Sequence, residues 1–218
     1  MKKILGILTL VICMFAITVP VEVMADELSK SEMKALEKDA KKRCKELKKA
    51  GWEPLASTAT MEYAMLKYRK YIESDEENRI PITGIALGKN QKIGRENAIS
   101  SGIASYANRA KAQVVGKMKA VASTDAHNES QEEIDKFGLA YEQAVNAKMS
   151  GLVREHFTLV RTPNNGGLKE FNVFMSIDET KARAAREEAA REAKEKSQLG
   201  TLTEMVEEFI GEPVAAEE

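Results

Sequence analysis

The hydrophobic pattern of this chain is dominated by one long stretch of small and apolar residues between positions 93 and 122. Larger apolar side chains recur there at steps of three or four, the spacing of one face of an α-helix. They are Ile99, Ile103, Tyr106, Ala110, Val114, Met118 and Val121. About thirty residues of helix span on the order of 45 Å. We predict one long alanine-rich helix whose apolar seam is covered by the rest of the chain.

The same spacing predicts three further helices. The first begins near Ser29 and Ser31 and ends at Gly51, the second covers residues 60–73, and the third follows a break at residues 123–130. Their apolar stripes are Met33, Leu36, Ala40, Cys44 and Leu47; Met61, Met65, Tyr68 and Ile72; and Ile134, Phe137, Tyr141, Val145, Met149 and Leu152. We expect these stripes to face a shared core.

Elsewhere the period changes to two, which is typical of strands. Residues 79–87, 153–161 and 168–177 are predicted strands, and the turn-rich run from Thr162 to Gly167 joins the last two as a hairpin. A short extended piece is expected at residues 52–57, with Pro54 at a sheet edge. Strict alternation places His156 on the face opposite Phe157. The predicted fold class is α+β, with the long helix and further helices packed on a small antiparallel sheet.

The pattern after the hairpin allows two interpretations. The predicted helix from Lys181 to Gln198 is charged, and its only apolar residues are alanines. We expect a solvated helix; the alternative is close packing through Ala182, Ala185, Ala189 and Ala193. A short amphipathic helix with Leu202, Met205, Val206, Phe209 and Ile210 is expected to dock back on the domain, and residues 212–218 are expected to fray.

The first 25 residues have the features of a secretory signal peptide. Lys2 and Lys3 precede an apolar run, and Val23-Met24-Ala25 offers small residues at a cleavage site, so we expect the mature chain to begin near Asp26. The alternative is an uncleaved anchor, but the run is shorter than the ~20 residues a spanning helix needs. Ile12 before Cys13 does not fit a lipidation site. We therefore expect a periplasmic or otherwise exported protein with no integral membrane span after cleavage.

We divide the chain into a signal peptide (1–25), an N-terminal helical region (26–78), an α+β core domain (79–178) and a C-terminal helical extension (179–218). The full sequence has 33 basic and 34 acidic side chains. This balance gives no general attraction to nucleic acid or anionic lipid, so neither partner is expected. Cys44 is the one cysteine beyond the signal peptide, so no intrachain disulfide is expected.

Candidate chemistry is sparse. His127 lies in a polar segment, Cys44 lies on an apolar stripe, and the histidine and cysteine spacings match no zinc motif. The acidic run at residues 74–78 lacks the glycine and closing glutamate of an EF-hand loop. Phosphate-binding loops and nucleophile elbows are absent from the sequence. We single out no catalytic, cofactor-binding or metal-binding residue and expect no enzymatic activity.

Two short segments carry a family resemblance. Ile82-Thr83-Gly84-Ile85-Ala86 precedes the long helix, and Lys169-Glu170-Phe171-Asn172-Val173-Phe174 follows the hairpin turn. Over roughly residues 79–178 this order resembles the LPP-twenty lipoprotein family and the N-terminal domain of flagellar assembly protein T. The helical pair ending in Gly51-Trp52-Glu53 is similar to secreted proteins of Bacteroides-type bacteria. The resemblance implies an envelope-associated interaction or assembly module without known catalysis.

Two functional hypotheses follow. The first is a non-enzymatic envelope module that binds an envelope protein or self-associates, with the helices at residues 30–50 and 181–210 as contact arms bearing apolar patches. The second is a binder of a small molecule or glycan in a pocket between sheet and helices. Trp52, Tyr63, Tyr68 and Tyr71 form the aromatic cluster that could line such a pocket, although ordinary core packing is the favoured interpretation.

Overall fold

The computed structural model describes residues 29–55, 59–124, 131–163, 167–197, 206 and 209–214. Its helices are α1 (Lys30–Lys49), α2 (Met61–Glu73), α3 (Gln91–Thr124), α4 (Gln131–Met149) and α5 (Glu179–Ser197). Its strands are β1 (Glu53–Pro54), β2 (Arg79–Gly88), β3 (Arg154–Arg161) and β4 (Lys169–Asp178). The predicted α+β class and the long helix are confirmed.

The four strands form one antiparallel sheet in the order β1-β3-β4-β2. β2 pairs with β4 from Arg79 opposite Asp178 to Gly88 opposite Lys169. β1 covers only the end of β3, where Glu53 and Pro54 pair with it. Among the described strands, β2 therefore has a neighbour on one side only, and so has the first half of β3. Pro54 lies in an edge strand, as predicted.

One face of the sheet, which we call the α3 face, is covered by the long helix. Tyr106, Ala110, Val114 and Met118 of α3 are buried in a core with Ile82, Phe171, Val173 and Met175 of the sheet and with α4. Glycine makes the close approach possible: a Cβ atom on Gly94 would collide with the ring of Phe171, and one on Gly84 would collide with the Ala98 backbone.

The other face, which we call the α2 face, is covered by α1 and α2. Ala40, Cys44, Trp52, Met61, Met65, Tyr68 and Ile72 pack there with Leu159 and Phe174 of the sheet. Ser29 and Glu32 form a capping box at the start of α1, and Gly51, with φ of 81°, follows its end. The predicted bounds and apolar stripes of these two helices are confirmed.

α5 is not the solvated helix that its charged sequence suggests. Ala182, Ala185, Ala189 and Ala193 are buried, and α5 packs closely against α4, so the alternative interpretation is the right one. Alanine is small enough for two helix backbones to approach, and the charged residues occupy the remaining sides. Burial of the alanine stripe, and not helix propensity alone, holds α5 in place.

A buried arginine ties α5 to α3 and to the end of the chain. Arg186, 1% exposed, donates to both carboxylate oxygens of Glu179, at 2.5 and 3.2 Å, and to Tyr106 Oη at 2.5 Å. Its Nη2 also donates to the carbonyl of Glu212 at 3.1 Å. Burial raises the pKa of Tyr106 to about 12, so this hydroxyl stays protonated at neutral pH.

The end of the chain docks on the domain, as expected for residues 206 and 210. Val206, Ile210 and Val214 are buried in the core of the α3 face. The expectation that the chain frays from Glu212 onward is wrong as far as Val214, because the carbonyl of Glu212 accepts from Arg186 and its carboxylate pairs with Lys117. Residues 215–218 lie outside the described part of the chain.

Several sequence predictions fall outside the described residues. They are the signal peptide with its cleavage site, the polar break with His127, the tip of the hairpin turn at 164–166, and Leu202 and Met205. Within the described residues, no helix combines the length and the hydropathy that crossing a membrane would require.

Candidate functional site

The outer edge of β2, opposite the edge that pairs with β4, is the first feature of the surface that can bind a partner. Among the described residues only β4 pairs with this strand. Pro81 has no N–H, and proline is accepted in a strand where its nitrogen points away from the neighbouring strand. The carbonyl of Leu87 accepts from Asn97 Nδ2 of α3 at 3.3 Å, so it too points outward. The backbone N–H and C=O groups of successive residues point alternately toward β4 and away from it. Ile85, two residues before Leu87, therefore directs its N–H and C=O outward at this edge.

Exposed apolar side chains lie along this edge. Ile85 and Leu87 are each 49% exposed, and Ile93, at the start of α3, is 47% exposed. Gly84 packs under α3 and so lies on the α3 face of β2. Because successive residues of a strand point to opposite faces, Ile85 and Leu87 lie on the α2 face. Among the described residues, the other strongly exposed large hydrophobics are Tyr63 and Leu139, on α2 and α4. Two of these five side chains thus lie on β2 itself, and a third lies at the start of α3.

The side of α3 next to this edge carries small or polar residues. Ile93 lies one helical turn before Asn97, so both are on the side of α3 that faces the edge. Exposed residues continue along α3 at helical spacing from there, at Ser101, Ala104 and Asn108. These exposed positions carry no charged side chain.

Charge is absent from the edge and concentrated at its two ends. Residues 80–88 contain no charged side chain, whereas natural edge strands are commonly protected by charges. The acidic loop with Asp75, Glu76 and Glu77 precedes β2, and the exposed Lys89 and Lys92 follow it. Neither lysine forms an ion pair within the described part of the chain. The strand therefore joins an acidic end to a basic end.

The acidic end holds more negative charge than its own cations neutralise. Arg79 pairs with Asp75 at 3.6 Å and bonds to the carbonyl of Tyr71. A hydrogen bond with Glu76, reinforced by burial, raises the pKa of Glu73 above its ordinary value. A carboxyl whose pKa is raised by a second carboxyl indicates crowding of negative charge at this end of β2, although Glu73 also pairs with Arg69 at 2.7 Å.

A β-bulge in β3 creates the second candidate site. The ladder pairs Glu155 with Met175 and then Phe157 with Phe174, so His156 is an extra residue. The bulge turns His156 onto the α2 face, where its ring lies 5.0 Å from that of Tyr68 and 4.7 Å from that of Tyr71. The prediction that His156 lies opposite Phe157 is therefore wrong, since it assumed unbroken alternation.

His156 also lies beside a serine. Its Nε2 is 2.8 Å from Oγ of Ser176. Burial lowers the pKa of His156 to about 4, with further contributions from Arg154 and Lys67, so the ring is neutral at physiological pH. Ser176 is only 2% exposed and lies beneath the ring, where a substrate carbonyl cannot reach it. A weakly basic histidine over a buried hydroxyl satisfies that hydroxyl and does not make an accessible nucleophile.

A cleft of about 450 Å³ opens at the uncovered half of β3, between the starts of α2 and α3. Met61, Phe157 and Leu159 contribute its apolar lining, and Arg95, Glu155 and His156 its polar groups. Arg95 Nε donates to Glu155 at 2.8 Å, and Thr158 Oγ1 donates to the same carboxylate at 2.7 Å. Burial raises the pKa of Glu155, but these two hydrogen bonds outweigh it and hold the pKa below its ordinary value.

The aromatic cluster considered from sequence does not line this cleft. Trp52 is buried under Arg161, whose guanidinium lies 4.5 Å from the ring centroid. Tyr68 is buried and donates to the carbonyl of Met175 at 3.1 Å. Tyr71 packs between two arginines and His156, and Tyr63 is exposed on the outside of α2. Core packing, the favoured interpretation, accounts for Trp52 and Tyr68.

Other candidate groups remain structural. Cys44 is fully buried, and burial together with Glu62 raises the pKa of its thiol, so it is not a reactive thiolate. The described residues hold no cluster of three or more His, Cys, Asp or Glu that could bind a metal.

The described residues of the two predicted contact arms, 30–50 and 181–210, do not form the expected apolar patches. On the described residues of α1 and α5, all large apolar side chains are at least partly covered. α5 is packed against α4, and the exposed face of α1 is lysine-rich. Sequence reasoning missed the β2 edge, although its uncharged run from Ile80 to Gly88 was visible, because nothing in the sequence says which strand lies at an edge.

Comparison with known proteins adds no relative: no family model, no curated protein and no solved structure matches the chain.

Proposed function

We propose that this chain is a non-enzymatic, exported envelope protein that acts as a protein-interaction or assembly module, with the β2 edge as its contact surface. The observation that carries the proposal is the exposure of Ile85 and Leu87 on a strand edge whose residues 80–88 carry no charge. Export is supported by the N-terminal pattern of the sequence.

Strand addition is the mode of binding that such an edge favours. A partner strand laid beside β2 would bond to the outward N–H and C=O of Ile85, and the backbone bonds would supply affinity for any extended segment. Side chains of the partner strand would contact Ile85 and Leu87 on the α2 face, which removes apolar surface from water. These contacts would give the interaction its selectivity.

Site-specific photo-crosslinking in the native host tests this proposal. A photoreactive side chain replaces Ile85 in one variant and Leu139 in another; both positions are apolar and about half exposed, but Leu139 lies on α4. We expect a discrete protein adduct from Ile85 and none from Leu139. Absence of an adduct at Ile85, or equal labelling at both positions, would contradict the proposal.

A second candidate function is binding of a small molecule or glycan in the β3 cleft. The observation in its favour is the cleft itself, with Arg95, Glu155 and His156 at an open sheet edge. Thermal-shift screening with glycans and small polar ligands tests it, using Arg95→Ala as the matched variant. A ligand that stabilises the wild type and not Arg95→Ala supports this function; no stabilising ligand at all counts against it.

A further inference from the structure

We infer that the exposed face of α1 binds a linear acidic polysaccharide, one whose successive sugars carry carboxylate or sulfate groups. The inference takes the exported location from the proposed function and concerns a surface other than the β2 edge. Its starting point is the arrangement of charge on α1, which the near balance of acids and bases in the whole chain conceals.

All the lysines of α1 lie on one side of the helix. At 3.6 residues per turn their positions fall within an arc of about 120°. Every one of them is exposed, and together they form what we call the lysine face: Lys30, Lys34, Lys38, Lys41, Lys42, Lys45, Lys48 and Lys49. Among the acids of α1, Glu32, Asp39 and Glu46 lie on the flank beyond this arc, and the half-buried Glu37 lies at its border.

Few carboxylates of the protein neutralise the lysine face. Lys48 pairs with Glu62 of α2, and within the described part of the chain the other lysines of this face form no ion pair. The exposed side of α5 is different, since cations and acids alternate there and Arg183 pairs with Glu187 one turn later. Mixed signs are typical of a face that is only solvated, whereas a field of one sign attracts ligands of the opposite charge.

Lysines at this spacing also repel one another. Like charges four residues apart on a helix are neighbours and destabilise it, as for Lys34 with Lys38 and Lys41 with Lys45. A bound polyanion removes this repulsion, because it places negative charge along the whole row. Neutral residues in place of the lysines should therefore stabilise the free protein and weaken binding, two effects that loss of folding would not produce together.

The shape of the lysine face favours a linear polymer. From Lys30 to Lys48 it extends on the order of 27 Å along the helix axis, in steps of roughly 4.5–6 Å. Each step is close to the length of one sugar in an extended polysaccharide. The lysine side chain is a flexible point charge, which suits a polymer without one fixed conformation.

Other polyanions fit this face less well. Apart from the lysines the arc carries Ser31, and it has no apolar side chain to insert into a bilayer, as a helix at a membrane interface has. Nucleic acid is a less accessible partner for an exported protein than the polysaccharides of the envelope. An acidic polysaccharide is therefore the occupant that charge, shape and location favour.

Removal of charge from two matched sets of lysines tests the inference. Glutamine has a helix propensity close to that of lysine and carries no charge. The test variant changes the middle of the lysine face: Lys34→Gln, Lys38→Gln, Lys41→Gln and Lys45→Gln. The control variant removes the same charge from exposed positions elsewhere: Lys89→Gln, Lys92→Gln, Lys169→Gln and Lys181→Gln.

Binding is measured on immobilised polygalacturonate and dextran sulfate at several salt concentrations, with uncharged dextran as the blank. We expect the wild type and the control variant to bind at least one of the two polyanions with an affinity that falls steeply with salt. The test variant should bind at least about tenfold more weakly and with a shallower dependence on salt. Circular dichroism should show that it unfolds at or above the wild-type temperature, since repulsion within α1 is reduced.

The outcomes decide between the possible occupants. Equal loss of binding in the two variants, or wild type that binds neither polyanion, overturns the inference. Tighter binding of phosphatidylglycerol vesicles or single-stranded DNA through the same lysines also overturns it, because the occupant is then a membrane or a nucleic acid. None of these variants changes Ile85, so a discrete Ile85 photo-adduct would leave the proposed function standing even if this inference fails.

Discussion

Gly84 of β2 lies directly beneath Ala98 of α3: a Cβ atom on Gly84 would overlap the Ala98 carbonyl oxygen and come within 2.7 Å of the Gly102 nitrogen. Helix backbone and strand backbone are therefore in contact, with no side chain between them. This contact holds β2 against α3 on one face, and among the described strands its one neighbour is β4.

Replacing Gly84 with alanine tests this contact. The obstructing atoms belong to backbone, which cannot swing aside, so we expect Gly84→Ala to lower the free energy of unfolding by about 1–3 kcal/mol. Gly116 is the matched control: it lies in α3, is exposed, and its Cβ would meet nothing within 4 Å. Gly116→Ala should raise stability by roughly 0.5–1 kcal/mol. Urea denaturation measures both, and equal effects would refute the close contact.

The buried Arg186–Glu179 pair gives a second prediction. Arg186→Met leaves the Glu179 carboxylate buried without its cation, which should cost about 3–5 kcal/mol of unfolding free energy. Arg183→Met is the control, since Arg183 pairs with Glu187 on the surface and should change stability by less than about 0.5 kcal/mol. The double variant Arg186→Met/Glu179→Met should recover part of the loss; no recovery would mean that the pair is not coupled.

His156 gives a prediction about pH. Its pKa is lowered from 6.5 to about 4 by burial, with Arg154 and Lys67 nearby, so the unfolded chain binds the proton more readily than the folded chain. The contribution of neutral His156 to the free energy of unfolding is therefore complete above pH 6.5 and is lost as the pH falls toward 4. Because the ring is partly exposed and solvent screens the effect, we expect a loss on the order of 1–2 kcal/mol.

Comparison with His156→Gln isolates this titration, because glutamine can still bond to Ser176 but does not titrate. Unfolding free energies of the two proteins, measured from pH 7 to pH 4, should diverge below pH 6.5, with the wild type falling more steeply. Parallel curves would show that His156 is not held neutral by its surroundings.

The N-terminal pattern predicts processing. Intact-mass analysis of chain purified from its host should give the mass of a protein that begins near Asp26, because a signal peptidase would cut after Val23-Met24-Ala25. A mass that includes residues 1–25 would contradict export by this route.

Much of the fold could be predicted because its helices and strands have strong periodicity. The stripe of α3, the hairpin of β3 and β4, and the cap at Ser29 are local features, and local features are readable from sequence. Burial of α5 was not readable: an alanine stripe between charges fits both a solvated helix and a close helix pair. Only the position of α4 decides between them.

The candidate site was harder to predict for a related reason. The extra residue at His156 changes which face a side chain occupies, yet a bulge leaves no clear signal in an alternating run. The exposure of Ile85 and Leu87 depends on strand order, which places β2 at the end of the described sheet, beside β4. Strand order arises from contacts distant in sequence, so an apolar strand of this kind is read from sequence as buried.

The measurement that tests the central claim most directly is amide hydrogen exchange at Ile85, followed by NMR for the purified chain alone and for the chain in envelope extract of its host. A protein partner at the β2 edge predicts that the outward Ile85 N–H exchanges more slowly in the extract, whereas the Ile82 N–H, directed toward β4, is protected in both samples. If Ile85 exchanges at the same rate in both samples, the β2 edge is not the contact surface.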